Sequence, residues 1–343
     1  MTDSDSDSAY IPPKLLREIL LKFPTKSLIR FIVVCKSWLS LITSSPFISV
    51  HLTQTPHSNT LLVRHYIDTC NKENYLLFQD SKNQPFSLDF ISEMNFPFKC
   101  QQKYYTIVGS CNGIVCLSSK LFGKLRSLVL WNPSIHKFIT LPFPSIKPKS
   151  PHMCVLGFGA DLPETNYKLV RLVYRKNDVF GYNGFPEIEI YSINSGVRRR
   201  VVGFGIKHCI VEVMSSQAFV KGFVHWIVYD FVVNGGGLRI LIMTFNTADE
   251  VFGEIMLPDA LTGGIATGLS LMLFEESLAV VKYGRRMYVV FYEVWVMKKY
   301  GVLESWSRLY RINLVANLKK VVGFRNNGEV LISTRENEWF GFF

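Results

Sequence analysis

Six short runs rich in β-branched and aromatic residues recur along this chain at a nearly fixed interval. LLVRHY begins at residue 61, IVCLSS at 114, LVRLVY at 169, FVHWIV at 223, LAVVKY at 278 and VLISTR at 330, with successive offsets of 53, 55, 54, 55 and 52 residues. The first five are each followed by a second apolar segment: YLLFQDSKNQPFSL from 75, LVLWNPSIHKFITLP from 128, IEIYSINSGVRRRV from 188, ILIMTFNTADEVFGEIMLP from 240 and YEVWVMKKYGVLESW from 292. A unit of this length holds about four strands, the size of one β-propeller blade. Such a sheet buries its faces only by stacking on its neighbours, and closing the ring removes most free edges. Six starts predict about six blades. The last start, at 330, leaves too few residues for a full unit, so the last blade is expected to be incomplete, with a strand near residues 53–60 as a candidate to complete it.

The punctuation agrees with antiparallel strands. Asn112-Gly113, Lys221-Gly222 and Asn327-Gly328 precede the first run of their units. Asn132-Pro133, Asn194-Ser195-Gly196 and Asn246-Thr247 follow the second segments. These residue types suit tight connections. The stretches around 144–153, 175–187, 230–238 and 259–268 are the expected loops.

Ahead of the repeat the texture is helical. In PKLLREILLKF, residues 13–23, Leu15, Leu16, Ile19, Leu20 and Phe23 recur at helical spacing. Pro13 suits a first turn, and Pro24 ends the helix because it cannot extend the hydrogen-bond ladder. Thr25 or Ser27 is expected to cap a second helix carrying Leu28, Ile29, Phe31 and Ile32. A third surrounds Trp38, Leu39, Leu41 and Ile42 and breaks at Ser44-Ser45-Pro46. Three helices this short cannot hide so many large side chains from water. The cluster therefore docks either on its own chain or on a partner. Residues 1–10, MTDSDSDSAY, bury nothing and are expected to be a solvated acidic tail. The resulting division is a tail at 1–10, a helical module at 11–52, a linker at 53–60 and the β domain at 61–343.

Net charge is +11. The helical module is basic, with Lys14, Arg17, Lys22, Lys26, Arg30 and Lys36 against Glu18. A basic surface favours acidic partners. The remaining basic groups are scattered doublets without an RNP-type aromatic strand or a helical basic stripe, which argues against nucleic acid. No run of about 18 apolar residues or more is present to span a membrane, and no signal peptide opens the sequence. The seven cysteines are odd in number and irregular in spacing, and no N-x-S/T site occurs. Both features point to reduced thiols and a cytoplasmic or nuclear location.

Residues 11–52, IPPKLLREILLKFPTKSLIRFIVVCKSWLSLITSSPFISVHL, resemble a plant F-box. The likeness rests on Ile11-Pro12, Glu18-Ile19-Leu20, P-x-K-S-L at 24–28, Arg30-Phe31, V-C-K-S-W at 34–38, S-L-I at 40–42 and His51-Leu52. Ile11 and Phe23 stand where the family commonly has Leu. The repeat region resembles the plant F-box-associated, kelch-like domain, including the S-locus F-box group. GSCNGIVCLS (109–118), GFG (157–159), LWNPSIHKFITLP (130–142), IEIYSINSG (188–196) and VKGFVHWIV (220–228) carry that likeness.

These resemblances imply a three-helix F-box followed by an all-β propeller. They imply docking on the Skp-type adaptor of a cullin–RING ubiquitin ligase, with Ile11, Pro12, Leu16, Ile19, Leu20, Leu28, Val34, Cys35 and Trp38 packing on or supporting that contact. The propeller would then hold a protein substrate, and the chain would be a non-catalytic receptor subunit. The alternative is a binding propeller that acts outside a ligase. Self-incompatibility, immunity and development are all served within the resembling families.

No covalent chemistry is legible. G-x-S-x-G, H-E-x-x-H and a Walker loop are absent, and GGGLRI at 235–240 lacks the Lys-Ser/Thr that a phosphate loop needs. Cys111, Cys116, His136 and Cys154 lack zinc spacing, and the cysteines read as buried structural thiols. His225 reads as a strand residue satisfied by backbone, and Cys35 as packing. No metal or cofactor is expected.

Overall fold

The apolar runs of the repeat are nearly continuous because their strands are buried on both sides. In the computed structural model, successive residues of one strand enter two different cores. Val170, Leu172 and Tyr174 pack with Val224, Trp226 and Val228, whereas Leu169 and Tyr191 pack with Cys116, Leu128 and Leu130. A period of two along the strand thus feeds two interfaces at once. The structure describes residues 11–54, 60–67, 72–80, 89–94, 105–121, 124–147, 152–161, 166–177, 181–182, 185–201, 209–211, 217–231, 238–263, 268–286, 289–314, 320–325, 327–333 and 338–342. The expected tail at 1–10 and residues 55–59 of the expected linker lie outside them. Two compact units divide between Ser58 and Asn59.

The helical unit contains four helices: α1 (Pro13–Leu21), α2 (Thr25–Phe31), α3 (Lys36–Ile42) and α4 (Ser45–Gln54). The three-helix expectation missed α4. Pro46 does not break a helix here, because it lies in the first turn, where no backbone donor is missed. Ser44 accepts the Phe47 N–H at 3.4 Å and donates to Leu41 O at 2.8 Å, joining the end of α3 to the start of α4. Neither Thr25 nor Ser27 caps α2, whose N-cap is Pro24 with no side-chain cap bond.

The β unit opens with β1 (Thr60–Ile67), β2 (Lys72–Gln79) and β3 (Asp89–Met94), followed by β4 (Thr106–Cys111), β5 (Ile114–Leu121), β6 (Lys124–Asn132) and β7 (Lys137–Thr140). Next come β8 (His152–Asp161), β9 (Asn166–Asn177), β10 (Gly181–Tyr182), β11 (Glu187–Ser192) and β12 (Arg198–Val201). The fourth group is β13 (Cys209–Val211), β14 (Ala218–Val220), β15 (Phe223–Phe231), β16 (Leu238–Asn246) and β17 (Val251–Met256), ending in a short helix, α5 (Asp259–Thr262). Then follow β18 (Gly268–Phe274), β19 (Ser277–Arg286), β20 (Val289–Met297) and β21 (Trp306–Leu314), and finally β22 (Lys320–Phe324), β23 (Val330–Ser333) and β24 (Glu338–Phe342).

Pairing is antiparallel and follows chain order within each sheet: β4-β5-β6-β7, β8-β9-β11-β12, β14-β15-β16-β17 and β18-β19-β20-β21. The recurring runs are thus the second strand of each sheet and the following segments the third. Asn112-Gly113 and Lys221-Gly222 connect first to second strands, each with two positive φ angles (50° and 74°, 51° and 82°), the backbone of a type I′ turn. GFG on β8 has a packing reason. A Cβ on Gly157 would fall 2.1 Å from the Trp226 ring, and one on Gly159 2.5 Å from Phe219. The glycines admit the next sheet's aromatic residues.

The expectation of six blades needs adjustment. Among the described residues there are five sheets of four or five strands and a two-stranded sheet, β22-β23. Of the expected strand near 53–60, Thr53 and Gln54 belong to α4 and Thr60 to β1, and residues 55–59 lie outside the described residues. Instead β24 crosses to the first sheet and pairs antiparallel with β1, from Leu61↔Phe342 to His65↔Glu338. The first sheet, lacking a first strand of its own, becomes β24-β1-β2-β3. A buried ion pair, Arg325 Nε to Asp80 Oδ1 at 2.9 Å, links the residue after β22 to the residue after β2 at the same junction.

Candidate functional site

The helical unit completes a small core and still has apolar side chains to spare. Leu20, Leu28, Ile42 and Phe47 are buried, with Leu16, Leu21, Phe31, Ile32, Trp38 and Leu41 packed around them. Phe31 meets Phe23 and Trp38 edge-on, with ring centroids 5.2 and 5.6 Å apart. His51 of α4 is buried, lies 2.9 Å from Phe23 O through Nε2, and stacks on Phe47. It ties the end of α1 to α4, which a His51-Leu52 pair at the end of the module is placed to do.

The apolar residues of α1 form two stripes. Leu16 and Leu20 turn inward, whereas Ile11, Leu15 and Ile19, each four residues from the next, remain exposed. The turn between α2 and α3 exposes Val33 (83%) and Val34 (59%), and Phe23, Ile29, Leu39 and Ile48 are also exposed. Isolated exposed apolar residues are ordinary, but nine large ones in a unit of four short helices are not. Lys14, Lys22, Lys26, Arg30 and Lys36 are exposed among them, against Glu18.

The nine residues expected at a docking contact divide accordingly. Ile11, Pro12, Ile19, Val34 and Cys35 are exposed and available to a partner. Leu16 and Trp38 are half-buried against the helical core. Leu20 and Leu28 are core residues, Leu20 with 0% exposure, and can only support such a contact. Sequence reasoning left Leu15 and Val33 out of the set. The spacing of Leu15 from Ile11 and Ile19 was a usable signal. Val33 sits in a turn, where periodicity has nothing to say.

Cys35 precedes α3, with Sγ 3.3 Å from Ser37 Oγ. That hydrogen bond and the Trp38 backbone N–H lower its pKa. The β unit's thiols are different. Cys111, Cys116 and Cys154 are buried, and burial pushes the Cys111 thiol up to about 12 and raises Cys116 as well. Cys111 and Cys116 are packed, protonated groups. Among the described residues no cluster of three or more His, Cys, Asp or Glu gathers to hold a metal, and no helix is long and apolar enough to cross a membrane.

His225 on β15 is buried, and burial depresses its pKa to about 4. Nδ1 lies 3.2 Å from Ala218 O and Nε2 2.8 Å from the Tyr300 hydroxyl. A neutral ring with the proton on Nδ1 satisfies both, donating to the carbonyl and accepting from the phenol. The backbone bond was expected; the contact with Tyr300, from the turn before β21, was not. His225 holds two sheets together.

Charged residues make ladders across two other sheets. Arg171 of β9, Glu189 of β11 and Arg200 of β12 lie opposite one another. Glu189 accepts from Ser145 N and Oγ, both at 2.7 Å, while Arg171 donates to Ile146 O at 2.8 Å. Despite burial, these partners hold the Glu189 carboxyl below its ordinary pKa. Part of the expected 144–153 loop is thereby fixed as a strap between sheets. The second ladder is Lys282 of β19, Glu293 of β20 and Arg311 of β21. Lys282 is bonded to Ala260 O and Gly263 O at 2.7 and 2.9 Å, which anchors α5 and the start of the expected 259–268 loop. Residues 232–237, in the loop around 230–238 and including the triple glycine, lie outside the described residues, as do 178–180 and 183–184.

Comparison with known proteins agrees with both units. The F-box associated beta propeller domain family matches residues 59–342, and the F-box domain family matches residues 10–49. F-box protein At3g07870 of Arabidopsis thaliana is 28% identical over 88% of this chain and 72% of its own length. F-box/kelch-repeat protein At3g23880 of the same plant is 28% identical over 88% of this chain and 79% of its own. Among solved structures, a polysaccharide lyase (an ulvan lyase) aligns over 84% of this chain and 76% of its own, with a TM-score of 0.42 and 10% identity, too slight a likeness to carry an argument.

Proposed function

Because the chain belongs to the family of F-box proteins that carry an F-box-associated β-propeller, we propose that it is the substrate-recognition subunit of an SCF-type E3 ubiquitin ligase. The exposed apolar surface of the helical unit binds a Skp-type adaptor and, through it, the cullin–RING ligase. The propeller holds a protein substrate within reach of the recruited ubiquitin-conjugating enzyme. Catalysis is by proximity, with effective concentration raised by the scaffold and acyl transfer performed elsewhere. On this reading the protein acts in the cytoplasm or nucleus.

The observation that carries the reading is the apolar excess of the helical unit. Ile11, Leu15, Ile19, Val33 and Val34 stay exposed after the unit's own core is complete. The basic side chains around them suit an acidic adaptor. The alternative of an independent binding propeller drew on the short last unit; among the described residues that unit is the two-stranded sheet β22-β23, while β24 pairs with β1.

Co-expression with a plant Skp-type adaptor, followed by size exclusion, tests this. Val33→Asp with Val34→Asp is the informative variant, because both side chains are exposed and their loss leaves the helical core intact. Leu20→Asp tests folding only. A wild-type complex that the double aspartate variant loses supports the receptor. A folded wild-type chain that stays alone with adaptor in excess sinks it.

A further inference from the structure

The outer edge of the fifth sheet has the features of a docking edge. β21 ends its sheet, with β20 on one side and, among the described residues, no strand on the other. It is nine residues long, against four to six for β3, β7, β12 and β17, the outer strands of the other full sheets. Long exposed edges invite an added strand, and proteins commonly shorten them. This one is kept long, with a bulge at Leu309 between Arg308 and Tyr310, and presents Arg308, Leu309, Tyr310 and Arg311, all exposed. Arg and Tyr are among the residue types that dominate binding energy at interfaces.

The two arginines are preorganised and only partly neutralised. Arg308 Cζ lies 5.9 Å from the Trp295 ring centroid, and Arg311 Cζ 5.3 Å from that of Phe291. Both share one oxygen of the buried Glu293 carboxylate, Arg308 at 3.0 Å and Arg311 at 3.7 Å, while the other oxygen lies 3.4 Å from Trp295 Nε1. Lys282, opposite Glu293, adds a further positive charge from within. Two guanidiniums thus share one carboxylate oxygen. The Arg308 and Arg311 side chains are 48% and 49% exposed, and among the described residues Arg311 donates no hydrogen bond to a protein acceptor. Its guanidinium lies by the Phe291 ring and Glu293 and is half exposed, which leaves N–H groups for a further carboxylate.

We infer that β21 is a docking edge for an extended acidic segment of a protein partner, which adds as a strand and places carboxylates on Arg308 and Arg311. Backbone pairing supplies affinity, and the two guanidiniums select acidic side chains. Calling that partner the ligase substrate rests on the receptor reading; the edge itself does not.

The test uses the full chain, with and without a bound Skp-type adaptor, and a fluorescein-labelled eight-residue peptide of alternating glutamate and valine. Its comparators are the lysine–valine peptide and the acidic peptide with a central proline, which blocks strand pairing. Anisotropy is expected to show binding of the acidic peptide alone, weakened about tenfold by each of Arg308→Gln and Arg311→Gln and unchanged by Lys137→Gln on β7. Hydrogen exchange over residues 306–314 should slow in the complex. Should the glutamine variants fail to fold, Arg308→Lys and Arg311→Lys keep the charge, lose the planar fork, and are expected to weaken binding severalfold. The assignment is overturned if Lys137→Gln weakens binding as much, if the lysine or proline peptide binds equally, if residues 306–314 are not protected, or if a uridine oligonucleotide displaces the peptide from β21 at lower concentration than the acidic peptide itself. Peptide binding without adaptor binding would sink the receptor reading and leave the edge standing; adaptor binding without peptide binding would do the reverse.

Discussion

Replacing Arg325 by methionine should cost more stability than any exposed ion pair in this protein. The residue sits just after β22, with its side chain 3% exposed, and its guanidinium meets Asp80 Oδ1 at 2.9 Å and Glu329 Oε2 at 2.5 Å. Asp80 follows β2 and is itself buried. Without the guanidinium, Asp80 loses a buried counter-charge, a loss of about 3–5 kcal/mol. Against a typical total of 5–15 kcal/mol, that lowers the midpoint of thermal unfolding by roughly 5–8 °C. Asp80→Leu combined with Arg325→Met should recover to within about 1 kcal/mol of the parent, because the double change removes both members of the buried pair. Urea titrations of the four proteins, followed by tryptophan fluorescence, supply the cycle and its coupling energy. A loss below about 1 kcal/mol for Arg325→Met, the range of exposed pairs, would refute the reasoning. Asp80 would then be solvated, and closure of the sheet ring would rest on β24 alone.

Further outcomes follow from the same contacts. Removing residues 338–343 takes β24 from the first sheet and exposes the edge of β1; aggregation and a lowered melting temperature are expected by light scattering and calorimetry. The pKa of His225 falls on folding from its ordinary value near 6.5 to about 4, so between those values the unfolded chain binds the extra proton. Stability is therefore full above about pH 6.5 and is lost as pH falls toward 4, by up to about 3 kcal/mol. His225→Gln should flatten that slope in acid titrations of the melting temperature. Alkylation with iodoacetamide at pH 8, read by peptide mapping, should modify Cys35 and spare Cys111 and Cys116, since Cys35 is exposed with a lowered pKa and the other two are buried with raised ones. Gly157→Ala should destabilise by about 1–3 kcal/mol, because its Cβ would meet the Trp226 ring; a Trp226→Leu background should relieve part of that loss.

Much was legible from residue order because its cause is local. The spacing of runs such as LVRLVY and FVHWIV reports strands buried on both sides, and Asn112-Gly113 and Lys221-Gly222 mark two-residue turns by their tolerance of positive φ. Pro13 and Pro24 bounded α1 for reasons of backbone chemistry. Pro46 misled, because a proline that ends one helix is equally suited to start another, and only the Ser44 bonds distinguish the two. The docking set was half legible. Helical spacing identifies which residues are apolar together, but Leu16 and Leu20 point into the core while Leu15 and Ile19 point out, about one position apart on the same turn.

What residue order alone determined is the inventory: two units, strands of period two in sheets of fixed length, and helices of period 3.6. Each of these is set by interactions among residues close in sequence. The tertiary structure decided how the ends meet. That residues 338–342 serve the first sheet, that Arg325 answers Asp80, and that His225 reaches Tyr300 depend on contacts across many tens to hundreds of residues. Periodicity carries no information about such pairs, because the register between distant strands is fixed only when both faces of every sheet are filled.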